Sequence, residues 1–165
     1  MEKIEGYDII NVWIHKTPDL KKEIIDFWIK EKALPSVEAA EKRVEQVIAI
    51  ARDKNGEIAA LSSVYEKFSN HLENFFYFYR NYVSPGARKA NLGAAMLLAV
   101  RDFLESNYIN KIKTRAIGMM VEVENKALQT YKNDAVWPLS KMVYIGKNEK
   151  GDHLRVYYFK DAKIS

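Results

Sequence analysis

Residues 75–106 constrain this chain most. There an aromatic run (Phe75, Phe76, Tyr77, Phe78, Tyr79, Tyr82) gives way to a turn of small and basic residues and then to an amphipathic helix. The turn reads Val83-Ser84-Pro85-Gly86-Ala87-Arg88-Lys89-Ala90-Asn91-Leu92-Gly93-Ala94-Ala95-Met96. Beyond it, Leu92, Met96, Ala99, Val100, Phe103 and Leu104 recur at helical spacing. A helix start carries N–H groups with no intrahelical acceptor and the positive end of the macrodipole, an arrangement suited to phosphate. Arg88 and Lys89 add positive charge beside it. The residues therefore predict a phosphate cradle formed by the N–H groups from Arg88 through Lys89, Ala90, Asn91, Leu92 and Gly93 to Ala94.

The rest of the chain predicts strands at residues 7–15, 48–52, 58–68, 73–83, 111–123, 136–146 and 153–159, from β-branched and aromatic runs bounded by polar turns. Asn55-Gly56 marks a hairpin. Thr17-Pro18-Asp19 and Ser36 open two helices, the first stopped at Leu34-Pro35. Helix three runs to about Ser106, and a short helix covers residues 125–132. The order β-α-α-β-β-β-α-β-α-β-β, without repeat or linker, predicts one α/β domain over residues 1–165.

A chain of 165 residues can bury a sizeable core, and 48% hydrophobic with 29% charged residues fits a globular protein. No apolar run is long enough to span a bilayer, and residues 1–5 lack the basic and apolar regions of a secretory signal. The expectation is a cytoplasmic protein without membrane association. The absence of cysteine excludes disulfides, thiolate metal sites and a cysteine nucleophile. His15, His71 and His153 lie far apart, so no metal is expected. The net charge of +4 is spread along the chain and reads first as a solvated basic surface.

This order, with the phosphate turn after the fourth strand, resembles the GCN5-related N-acetyltransferase (GNAT) superfamily. Val83-Ser84-Pro85 followed by Arg88 to Ala94 is similar to its acyl-CoA signature, Val-x-Pro and then Gln/Arg-x-x-Gly-x-Gly/Ala before a helix. Asn91 stands where the first glycine is expected, and Gly93 keeps the second. Asparagine is the best substitute for glycine where a positive φ is required. Asn125, Ala127 and Tyr131 resemble the later Asn-x-x-Ala-x-x-x-Tyr segment, without the Gly-Phe that usually follows. The resemblance implies a twisted mixed sheet flanked by helices, acetyl-CoA as co-substrate, and transfer to a small-molecule or protein amine. It implies that pantetheine pairs with the backbone of Asn81, Tyr82 and Val83, that Asn125 contacts pantetheine, and that Tyr131 is the general acid.

Each residue also has a structural reading. Asn125 suits a helix N-cap, and Tyr131 is one of ten tyrosines. The amine must lose a proton before attack. Glu73 is the first choice for the base, with Glu122 and Glu124 as alternatives. Tyr77 and Tyr79 belong either to the core or to an acceptor cleft. The stretches Lys141-Met142-Val143-Tyr144 and Arg155-Val156-Tyr157-Tyr158 fit either a nucleic-acid surface or strands with one face to water. An N-acetyltransferase is the leading expectation. A degenerate member acting as a binding module and a nucleic-acid-associated member are the alternatives, and a homodimer is allowed.

Overall fold

The computed structural model describes residues 2–165, apart from the side chains of Glu2, Lys3, Lys89 and Ala90. Its elements are β1 (Glu2–Ile4), β2 (Tyr7–Asn11), α1 (Pro18–Lys30), α2 (Val37–Arg43), β3 (Val47–Asp53), β4 (Ile58–Ser69), β5 (Asn74–Val83), α3 (Leu92–Ile109), β6 (Gly118–Val123), α4 (Lys126–Tyr131), β7 (Val143–Lys147) and β8 (His153–Tyr158). This is the expected order with one strand added, β1, which pairs back onto β2. The sheet is mixed and has eight strands in the order β1-β2-β3-β4-β5-β6-β8-β7. β1 to β4 form antiparallel ladders, β5 runs parallel to β6, and β8 is antiparallel to both β6 and β7.

Three strands are shorter than expected. β2 ends at Asn11, whose side-chain oxygen accepts the Trp13 N–H at 2.9 Å and turns the chain away. The strand expected from residue 111 begins at Gly118, after a left-handed Lys111 (φ 61°). Of residues 136–146, only Val143 onward forms β7, with a lone bridge from Val136 to Val143. Pro138 has no N–H to give a ladder.

The chain forms two compact units, one of residues up to Val64 with Asn81–Val100, the other of Tyr65–Arg80 with Arg101–Ser165. In the first, Thr17 and Ser36 cap α1 and α2 by accepting the Leu20 and Ala39 N–H groups at 3.1 Å each. The two helices press Ile24, Phe27, Trp28 and Ala40 against Val47, Ile50, Ile58 and Leu61 of the sheet. Each such large side chain contributes roughly 1.5–3 kcal/mol by leaving water. The second unit has its own core of Phe76, Phe78, Ile117, Met120, Leu154 and Val156. β6 and β8 approach so closely there that a side chain on Gly118 would collide with the Tyr157 carbonyl.

Candidate active site

In the first unit, β5 runs into α3 through the predicted turn. The Ser84 N–H donates to Ala59 O (2.8 Å), and Pro85, lacking an N–H, ends the strand. Pro85–Ala90 wind into a 3-10 turn, begun when Ala87 N–H donates to Ser84 O at 2.9 Å. Asn91 then adopts the left-handed conformation, φ 55° and ψ 23°. Its carbonyl accepts the Ala95 N–H at 3.1 Å, so α3 starts here and not at Arg88. The groups at the helix start are therefore those of Leu92, Gly93 and Ala94, a narrower set than the sequence predicts. The Arg88 backbone belongs to the preceding turn, and the side chains of Lys89 and Ala90 lie outside the described residues.

Gly93 lies close to the end of β5. A Cβ there would lie 3.2 Å from Asn81 Nδ2 and 3.7 Å from Val83 Cγ2. Leu92, fully buried, anchors the turn from below. The Tyr82 ring faces the core, edge-on to Phe27 at 5.9 Å, and its hydroxyl donates to Glu31 O at 3.4 Å. Tyr82 can therefore offer a ligand only its backbone. Arg88 folds back over the strand end: Nε donates to Val83 O at 3.0 Å, and the guanidinium lies 5.8 Å from the Tyr82 ring.

In the second unit, the described β5–β6 ladder pairs Tyr77–Tyr79 with Met119–Val121. Beyond Val123 the chain enters α4, which buries none of its side chains. Polar pins hold this helix. At its start, Asn125 Oδ1 accepts the Ala127 and Leu128 N–H groups (2.9 and 3.2 Å), and Gln129 Nε2 donates to Val123 O at 2.7 Å. Asn125 is thus an N-cap, with no partner for Nδ2 among the described residues. Tyr131, the last residue of α4, is 82% exposed.

Two residues that the sequence did not single out for this site hold the far end of α4. Trp137 Nε1 donates to Lys132 O at 2.8 Å, and Arg155 Nη2 donates to the same oxygen at 3.1 Å. Arg155 Nη1 reaches Ala135 O and Met142 O, each at 3.5 Å, and the guanidinium stacks 4.3 Å from the Trp137 ring. Burial pulls the Arg155 pKa below the usual arginine value, opposed by the Asp134 and Tyr144 side chains. Strand alternation allowed Arg155 to face water or nucleic acid, but it is 1% exposed and can do neither. Nothing in the local sequence marks it, because its burial depends on residues 132–142 closing over it. Tyr79 is buried and Tyr77 half-buried, its hydroxyl pushed above the ordinary tyrosine pKa mainly by burial.

The candidate bases separate. Glu73 precedes β5 in an exposed turn with a left-handed φ of 51°. Strand pairing begins beside it, where Ile117 N–H donates to Phe75 O (3.0 Å), whereas α4 follows Val123. At about 3.3 Å per residue, that puts roughly 20 Å of β6 between Glu73 and α4. Glu122 is the penultimate residue of β6, half-buried, with Oε2 accepting from Asn148 Nδ2 at 2.7 Å. Glu124 is exposed.

No family profile and no curated protein matches the chain. Solved structures do. The ribosomal-protein-S5-alanine acetyltransferase from Vibrio fischeri superposes with a TM-score of 0.66 at 13% identity, covering 99% of this chain and 98% of that one. A GNAT-family acetyltransferase from Streptococcus pneumoniae gives 0.61 at 12% identity, covering 93% and 99%. AtaTR bound with acetyl-CoA gives 0.59 at 10% identity, covering 95% and 96%. The chain has the GNAT fold. In this GNAT-fold chain, among the described residues, no cluster of His, Asp or Glu is placed to hold a metal, and no helix is long and apolar enough to cross a membrane.

Proposed function

We propose that this GNAT-fold chain transfers an acetyl group from acetyl-CoA to an amine. The observation that carries the reading is the turn at Asn91, which opens α3 on three N–H groups with Gly93 keeping its surface clear. In this reading, Leu92, Gly93 and Ala94 N–H groups take the pyrophosphate with Arg88 beside them. The backbone of Asn81, Tyr82 and Val83 takes pantetheine, and Asn125 Nδ2 has no partner among the described residues. The binding of acetyl-CoA by a fold neighbour supports the choice of co-substrate.

The amine lone pair attacks the thioester carbonyl carbon. A C–N bond forms, the C–S bond breaks, and CoA leaves as a thiolate. A free thiol has a pKa of ~8.5, so the leaving group needs little help, and the exposed Tyr131 hydroxyl supplies a hydrogen bond and then the proton. The amine's own proton passes to a carboxylate, directly or through water. Glu122 takes this role in place of Glu73, because it lies next to α4 along β6. With no cysteine in the chain, a thioester acyl-enzyme is excluded and attack within a ternary complex remains.

A second reading, a binding module without transfer, is favoured by one observation: the Val83 carbonyl already accepts from Arg88. Thermal denaturation with acetyl-CoA separates the two. A ligand at a hundred times its Kd adds about 2.7 kcal/mol of stability. The expected outcome is a rise of several degrees in Tm together with release of free thiol when an amine is added. A rise without thiol release supports a module that still binds acetyl-CoA, and no rise at millimolar acetyl-CoA removes the transferase reading and leaves the module.

A further inference from the structure

We propose that Arg155 is a positioning residue for Tyr131, setting where its hydroxyl is presented by gripping the end of α4 through the Lys132 carbonyl. The inference rests on the reading of Tyr131 as the proton donor.

Tyr131 has no packing of its own at 82% exposure, so its location is that of the α4 backbone. A six-residue helix with no buried side chain does not hold itself in water. Its start is capped by Asn125 and tied to β6 by Gln129. Its end is tied by Lys132 O, one residue past Tyr131, where Arg155 and Trp137 converge.

Stability alone does not explain Arg155. Every carbonyl it touches already has another donor. Lys132 O has Trp137 Nε1 (2.8 Å), Ala135 O has the Tyr144 N–H (2.8 Å), and Met142 O has the Trp137 N–H (2.9 Å). None would be orphaned if the guanidinium were removed. Arg155 itself is buried with Nε unpartnered among the described residues, and its described bonds all go to neutral carbonyls. A cation held this way is costly, and an apolar side chain of similar size is often as stable or more so. What the guanidinium adds is geometry: a planar, multidentate clamp, stacked on Trp137, joining β8 to the carbonyl just past α4 and to two further points, Ala135 O and Met142 O.

The test measures thiol release from acetyl-CoA in the presence of spermidine, a lysine peptide and an alanine-initiated peptide. The absence of cysteine from the chain keeps the thiol background low. Arg155→Met is expected to keep or raise Tm while kcat falls about tenfold and KM for acetyl-CoA stays within twofold. Trp137→Phe keeps the ring under Arg155 but loses the N–H to Lys132 O, and is expected to lower kcat several-fold. In a Tyr131→Phe background, neither change should slow transfer further, because there is no hydroxyl left to place. Arg101→Met frees the Leu139 and Ser140 carbonyls at the other end of the same loop and should leave kcat within twofold. Equal fold losses with and without the Tyr131 hydroxyl, or an equal loss in Arg101→Met, overturn the positioning role. No thiol release by the wild type, or an unchanged rate in Tyr131→Phe, overturns the function reading itself and this inference with it.

Discussion

Arg88 Nε donates to the Val83 carbonyl at 3.0 Å, so the side chain proposed for a phosphate covers part of the backbone proposed for pantetheine. If the cofactor binds as proposed, this bond must open and the guanidinium turn toward the pyrophosphate. Arg88→Ala is expected to weaken acetyl-CoA binding by roughly tenfold, about 1.4 kcal/mol. The loss should shrink as salt rises, because Arg88 is exposed. Isothermal titration at two ionic strengths checks both parts. Tighter binding in Arg88→Ala would mean that the bond to Val83 is an obstruction only.

Asn91 sits at φ 55°. Alanine there meets a left-handed penalty of roughly 1–2 kcal/mol, which asparagine softens and glycine avoids. Asn91→Ala should lower Tm by about 2–4 °C per kcal/mol, and Asn91→Gly should leave it nearly unchanged. Asn91→Gly should bind acetyl-CoA at least as well as wild type, since the exposed asparagine side chain no longer flanks the helix start. Weaker binding would show that the Asn91 side chain is itself a ligand.

Gly93→Ala separates fold from site. The added methyl meets the amide end of the exposed Asn81 side chain at 3.2 Å, which can move aside by a few tenths of an ångström. Alanine is up to about 1 kcal/mol better than glycine in a helix. Tm should hold or rise slightly, while acetyl-CoA affinity drops roughly tenfold because the methyl stands where the backbone would approach phosphate. Unchanged affinity would remove the first turn of α3 from the site.

Much of this was legible in the sequence, and the exceptions have a common cause. The caps at Thr17, Ser36 and Asn125 fall where local chemistry predicts, because an N-cap is decided within four residues. The strand end at Ser84-Pro85 is legible for the same reason. The direction of Arg88 is not legible, because it depends on a 3-10 turn that the residue types do not mark. The burial of Arg155 is not legible, because the residues of its own strand carry no sign of the distant loop that closes over it. The distance of Glu73 from α4 is not legible, because it depends on the register in which β5 pairs with β6.

The carboxylate assignment has its own test. Glu122→Gln should lower kcat by about a hundredfold at neutral pH, in the range expected for a proton acceptor. Glu73→Gln should leave kcat within twofold. The opposite result restores Glu73.

Tyr157 gives the fold a measurable alkaline limit. Burial and its hydrogen bond to Glu105 Oε2 (2.7 Å) push its hydroxyl up to about 12. An unfolded tyrosine titrates near ~10. The folded protein therefore holds a proton that the unfolded chain loses, and this stabilisation, complete below pH 10, is lost as pH rises toward 12. Urea denaturation at a series of pH values across this window should show a steeper decline for wild type than for Tyr157→Phe. Equal slopes would mean that the hydroxyl titrates alike in both states.

The parallel pairing of β5 with β6 governs how the chain can be made as well as what it does. β1 with β2 and β3 with β4 pair across short connections, so those two hairpins can close early as the chain leaves the ribosome. β5 must wait for Met119, about forty residues after Tyr77, before this edge is paired. Nascent chains stalled before that point carry an aromatic strand with an open flank, the kind of edge that other unfinished chains and chaperones can occupy.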